Sequence, residues 1–189
     1  MGYKIITVNR ELESLGNEIA QAVAAKLSLP YYDKFLITAS AEESGVEEHL
    51  VAATDEKLAS RFEYSQAEAA YYYAGKEDAL PTGAKVAEEG PCLFVGRCAN
   101  HVLRERGDVL DIFVHAGENS RLQRAMTALG LPEKKALRVL RRTDKARAGY
   151  YKHYTDADWH DPNQYHACLN TDLLSFDACV SAICGMYNG

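Results

Sequence analysis

The sequence predicts an α/β protein built on a parallel sheet with helices on both faces. Two observations carry this. Short apolar runs at residues 4–8, 91–95 and 109–116 read as buried strands, and stretches of helical periodicity alternate with them.

The elements follow in order. Lys4-Ile-Ile-Thr-Val8 suits a buried strand. From Gly16, the apolar Ile19, Val23 and Leu27 recur every four residues, which predicts a helix over 16–27, broken by Leu29-Pro30. A short extended piece at "YYD" precedes a helix to about Ser44, and the Ala/Glu/Lys-rich stretch 46–89 reads as helices interrupted near "AGKEDALPTG". "PCLFV" is the next strand, ended by Gly96, with a short helix over 98–106. "VLDIFVHA" is a third strand, and 118–130 a helix stopped by Gly130. Pro132 suits the first turn of a helix running to about Tyr151. A short strand over 165–171 and a helix over 175–187 complete the chain.

At 189 residues the chain makes one domain. The net charge of −6 argues against a general nucleic-acid binder, which needs a basic field. No apolar run approaches the ~20 residues that span a membrane, so no membrane partner is expected. Signal-peptide features are missing, and the five cysteines form no CxxC pair. They read as reduced thiols of a cytoplasmic protein.

Three constellations carry chemistry. The first is the strand-turn-helix around "NRELESLGNEI", laid out like a phosphate-binding loop: free N–H groups and the helix dipole make a helix N-terminus an anion site. Against the pattern GxxxxGK followed by Ser or Thr, Gly16 supplies the last glycine, but Asn17 replaces the lysine, Glu18 the hydroxyl and Glu11 the first glycine. On spacing alone, a plain turn with Ser14 as N-cap is the better reading. The second is Gly96-Arg97, directly after a strand, where ligands bind in open parallel sheets and a guanidinium clamps phosphate. A surface loop arginine is the bland alternative. The third is Arg141-x-x-Asp144-x-x-Arg147. Asp144 and Arg147 share the apolar face of Ala136, Leu137 and Leu140, with Arg141 flanking it. Wheel geometry leaves open an internal Asp144–Arg147 pair or a set facing a phosphorylated ligand. The histidines and aspartates over 153–166 match no zinc spacing, and no protein-held metal is expected.

Taken together, "ITVNRELESLGNEIA", "LPYYDKFLI", "CLFVGRCANHVLRER", "VLDIFVHAGENSRLQRAM" and "RRTDKARAGYYKHYTDADWHDPNQYHACLNT" resemble the cytidylate kinase-like family of P-loop nucleoside monophosphate kinases over nearly the whole chain. The resemblance implies a P-loop NTPase-like three-layer sandwich, with a helical acceptor-binding segment over about 33–89 and a lid over about 132–160. It implies phosphoryl transfer from ATP, with Mg²⁺ bound to the nucleotide, to a nucleoside monophosphate (CMP-like) or another small acceptor.

The family's phosphate loop is usually S-R-E-(Y/F)-G-S-G-G-R-E-I. Asn9, Arg10, Glu11, Ser14, Gly16, Glu18 and Ile19 align with it, while Glu13 and Leu15 stand at usual glycines and Asn17 at the basic position. The resemblance makes Arg10, Ser14, Gly16, Asn17 and Glu18 donor-phosphate residues, with Arg10 a candidate to substitute for the missing charge. It makes Gly96, Arg97 and Asp33 acceptor residues, and Arg141, Asp144 and Arg147 catalytic ones in the lid. Val95 and Cys98 flank the Gly-Arg where the family has aspartates. The altered loop keeps a second reading alive, a pseudokinase that binds a nucleotide or anion through its acceptor site. A structural or oligomerising protein ranks third, and the helical middle offers surface for a homodimer.

Overall fold

The computed structural model describes residues 2–33, 87–96 and 98–189. Most of the expected acceptor-binding segment, and Arg97 itself, lie outside these residues.

Five parallel strands form the sheet: β1 (Ile5–Arg10), β2 (Tyr31–Tyr32), β3 (Cys92–Val95), β4 (Val109–His115) and β5 (Ala167–Asn170), in the order β2-β3-β1-β4-β5. Strand β1 is central, with Ile5 opposite both Cys92 and Val109, and Val8 opposite both Val95 and Ile112. This burial on both sides is why "IITVN" reads as a continuous apolar run with only Thr7 and Asn9 interrupting it. The helices are α1 (Gly16–Leu27), the single-turn α2 (Ala99–Val102), α3 (Glu118–Leu129), α4 (Glu133–Thr155) and α5 (Phe176–Asn188).

On one face, Ile6, Val8, Leu93, Ile112 and Val114 pack against Ile19, Ala20 and Val23 of α1 and Cys179 and Ile183 of α5. On the other, Ile5 and Phe94 meet Ala99 and Leu103, while Phe113 packs in an aromatic cluster with Tyr150, Tyr151, Trp159 and Tyr165. Helix α4 therefore outruns the expected end at Tyr151: Tyr150 and Tyr151 are core residues, and the helix stops only at Asp156, in the left-handed conformation at φ 54°. All five cysteines are free thiols, four of them buried.

The topology of the described strands marks a place for a ligand. Strand β1 lies between β3 and β4, and the chain leaves its two sides in opposite directions, so the carboxyl ends of β1 and β3 open on the crevice at the switch point. The turns that follow them carry the first two sequence constellations.

Candidate phosphate-binding site

Residues 11–15 join β1 to α1 and hold two side chains in a backbone conformation that favours glycine. Glu13 has φ 58° and Leu15 φ 67°, at the two positions where the resemblance places glycines. Leu15, not Ser14, is the N-cap, and it makes no side-chain cap bond. Ser14 is fully buried, and its hydroxyl donates back to the Glu11 carbonyl at 2.9 Å. The expected cap thus gives way to a tight loop of the phosphate-binding type.

Side chains from outside hold this loop in shape. Arg147 Nη1 of α4 donates to the Arg10 carbonyl at 2.9 Å. Arg121 Nη1 of α3 donates to Leu12 O at 3.1 Å, and Arg124 Nε to Glu13 O at 2.6 Å. Thr171 Oγ1, after β5, donates to Ser14 O at 3.0 Å. With Ser14 on Glu11 O, every carbonyl from residue 10 to 14 is taken up by a side-chain donor. Of the loop's amides, Glu11 N donates to Val114 O, Leu12 N to Asp144 and Ser14 N to Glu11 O, so the groups left to meet an anion are mainly the first-turn N–H groups of α1, which have no intrahelical acceptor. Left-handed residues such as those at 13 and 15 are an ingredient of backbone anion nests. A left-handed non-glycine residue costs about 1–2 kcal/mol. Two of them are offset by five such bonds at about 1 kcal/mol each.

Asp144 accepts from the Leu12 amide at 2.8 Å and pairs with Arg121 Nη1 at 2.5 Å. Glu11 lies 3.3 Å from Arg121 Nε and accepts from the Ala116 amide. Arg121 is buried between two carboxylates, so its charge is spent within the protein. Sequence reasoning missed it, and missed Arg124. The available signal was two arginines at i, i+3 in a helix that begins at the carboxyl end of a strand.

The third constellation divides. Asp144 and Arg147 face the loop, in keeping with their shared wheel face, and bond its backbone. Arg141 is on the exposed surface, where its guanidinium forms a two-pronged pair with Glu118 at 2.7 and 2.8 Å.

Arg10 turns towards the acceptor side. Its Nε donates to Asn17 Oδ1 at 2.7 Å, and its Nη2 lies 3.7 Å from Asp33 Oδ1. Gly96, at φ 71°, packs against it. Glu18 is exposed in the first turn of α1. Glu13 is drawn above the ordinary carboxylate range by burial and then by the neighbouring Glu18, with Arg124 and Arg147 pulling the other way.

Behind the loop runs a buried polar chain that periodicity cannot reveal. Trp159 Nε1 donates to Asn9, Asn9 Nδ2 to Asn100 at 3.2 Å, and Asn100 Nδ2 to the Tyr151 hydroxyl at 2.8 Å. It ties the end of β1, helix α2 and the carboxyl half of α4 together. Among the described residues, no group of three or more His, Cys, Asp or Glu is placed to hold a metal ion.

Parallel order β2-β3-β1-β4-β5 with a tight loop between β1 and α1 defines a P-loop kinase fold. The cytidylate kinase-like family model matches residues 5–173, and the chain belongs to that family. Among solved structures, an uncharacterised protein from Eubacterium ventriosum superposes with a TM-score of 0.77 at 22% identity, over 98% of each chain. A shikimate kinase from Bacteroides thetaiotaomicron gives 0.58 at 14% identity over 98% of each chain. A gluconokinase from Sinorhizobium meliloti gives 0.52 at 13% identity, over 97% of this chain and 94% of its own. At these identities the likenesses speak for the fold. No curated protein matches the sequence.

Proposed function

We propose that the protein is a phosphotransferase of the nucleoside monophosphate kinase type, moving the terminal phosphoryl group of ATP to a nucleoside monophosphate (CMP-like) or another small acceptor. The observation that carries this reading is the loop: its sequence departs from the family pattern, yet residues 13 and 15, where the resemblance places glycines, both take the left-handed conformation that glycine favours.

In the reaction, an acceptor oxygen forms a bond to the terminal phosphorus of ATP. The bond from that phosphorus to the bridging oxygen breaks, ADP leaves, and the acceptor oxygen gives up any proton it carries. The chain's own part is positioning and charge neutralisation. The nest around Ser14 and Gly16 receives donor phosphates. Arg97, next after Gly96, holds the acceptor phosphate, and Asp33, past β2, contacts the acceptor. Arg141 and Arg147 offset charge on the transferred group, and Asp144 keeps the Leu12 amide and Arg121 in place. Mg²⁺ enters with the nucleotide and shields its phosphates. No helix among the described residues is long and apolar enough to cross a membrane.

A coupled assay with ATP·Mg and each monophosphate, alongside calorimetry, tests this. Turnover with one monophosphate supports transfer. Monophosphate binding with no turnover replaces it with the second reading, a binding protein, which Asn17 and Glu13 in the donor loop favour. Binding of neither ligand rejects both. Arg97→Ala is expected to abolish monophosphate binding; unchanged affinity rejects the clamp.

A further inference from the structure

Arg10 stands between the donor loop and the acceptor turn. Its Nε is 2.7 Å from Asn17 Oδ1 in the first turn of α1, and its Nη2 reaches 3.7 Å from Asp33 Oδ1 beyond β2. Two glycines make room for it. A Cβ on Gly16 would lie 2.8 Å from Arg10 Cγ, and one on Gly96 would lie 2.7 Å from Nη1. The side chain thus runs under the N-terminus of α1 to the turn after β3, along the line that separates donor from acceptor.

Asn17 occupies the position where a basic residue is usual. A lysine or arginine there has donors only, and could not accept from Arg10. It would also add a like charge at hydrogen-bond distance. Asparagine is neutral and offers an acceptor. The family pattern is basic at both positions, so Asn17 leaves Arg10 as the remaining one of the two cations and gives it an acceptor. Its Nη2 lies 3.7 Å from Asp33, whereas a guanidinium forms shorter, two-pronged bonds to phosphate oxygens.

We propose that Arg10 is the phosphate-contacting cation of this site, serving the phosphoryl group that passes between donor and acceptor, and that Asn17 is the positioning residue that aims it. This rests on the phosphate-site reading above.

The test uses the full chain and inorganic tripolyphosphate, titrated calorimetrically at low salt, with thermal unfolding as a check on folding. Arg10→Ala is expected to weaken binding at least tenfold. The double variant Arg10→Ala/Asn17→Lys, which puts a cation on the helix instead, is expected to regain most of that loss, a rescue that a merely structural Arg10 would not allow. Asn17→Asp keeps an acceptor for Arg10 but cancels its charge, and is expected to weaken binding about tenfold with an unchanged melting temperature. If wild-type protein binds no tripolyphosphate, the phosphate-site reading itself fails. If wild type binds and Arg10→Ala binds equally, or the double variant stays as weak as the single, the cation assignment is overturned. Where Arg10→Ala does not fold, unaltered affinity of Asn17→Asp overturns it.

Discussion

The loop between β1 and α1 and the helices that grip it play different parts. Residues 13, 15 and 17 of the loop depart from the family pattern, whereas Arg121, Arg124, Asp144 and Arg147 around it are all engaged with loop backbone. A glycine loop adopts its shape because left-handed conformations are free to it. Here the shape persists without those glycines, so it must be imposed from outside. The difference teaches that the loop's backbone and its side chains answer to separate constraints: α3 and α4 fix the first, and the ligand fixes the second.

The strongest way to break this is to remove the grip. Arg121→Ala leaves Glu11 and Asp144 buried without their shared partner and frees Leu12 O. Removing one member of such a buried pair costs about 3–5 kcal/mol. Chemical denaturation should show a loss of that size, together with loss of tripolyphosphate binding. A change below about 1 kcal/mol would mean that the loop supports itself. Asp144→Asn keeps an oxygen for the Leu12 amide but turns an NH2 donor towards Arg121, which keeps Glu11 as its partner, so a smaller loss of about 1–3 kcal/mol is expected.

The same comparison separates what the sequence made legible from what it did not. Among the described residues, local signals sufficed for the sheet and most helices: the Ile19/Val23/Leu27 spacing marks α1 at its observed bounds, and Gly130 at φ 61° ends α3, while the helices expected up to Ser44 and over 46–89 lie outside these residues. The paired facing of Asp144 and Arg147 was also readable from the wheel. Three things were not. Leu15 at the N-cap is held by contacts more than 100 residues distant, such as Arg124 to Glu13 at a separation of 111. The carboxyl end of α4 is fixed by Phe113, Trp159 and Tyr165, which only the closed sheet brings together. The turn of Arg10 towards Asn17 depends on Gly16 leaving room at its base and Gly96 at its guanidinium end. Each is a non-local contact that overrides propensity or spacing.

The comparison is sharpened by giving the loop back its glycines. Glu13→Gly and Leu15→Gly each remove a left-handed side chain; Glu13→Gly is expected to stabilise by up to about 1 kcal/mol, less the added freedom of the unfolded chain, whereas Leu15→Gly also gives up the packing of Leu15 against the core and is expected to destabilise. If Glu13→Gly destabilises clearly, its side chain is contributing contacts that the strain argument omits. Glu13→Gly should in addition tighten tripolyphosphate binding, since it removes a carboxylate from the anion site, while Leu15→Gly should leave charge effects unchanged. The pH dependence follows. The folded-state pKa of Glu13 is raised, so its ionised form is disfavoured by folding. That penalty is present above the folded pKa and fades as pH falls through it. Anion affinity of the wild type is therefore expected to rise as pH drops through a window just above the ordinary carboxylate range, and Glu13→Gln is expected to flatten that rise. An equal slope in both proteins would assign the effect to another group.

The smallest structural effect belongs to Arg141. It lies on the same helix as Asp144 and Arg147 but outside the grip, and its partner Glu118 is itself largely exposed. Exposed pairs are screened by water and salt and contribute little to folding. Arg141→Ala should therefore leave the melting temperature where it was, in contrast to Arg121→Ala. Its effect should fall on turnover instead. If the two-pronged pair with Glu118 is a resting position, and phosphate oxygens draw the guanidinium away, kcat should drop by about a hundredfold with little change in KM, because charge on the transferred group is what the side chain meets. Glu118→Gln then becomes the discriminating control. Freed from its carboxylate, Arg141 should reach phosphate more readily and kcat should hold or rise. A fall in kcat with Glu118→Gln matching that of Arg141→Ala would instead show that the ion pair itself sets the position of α4.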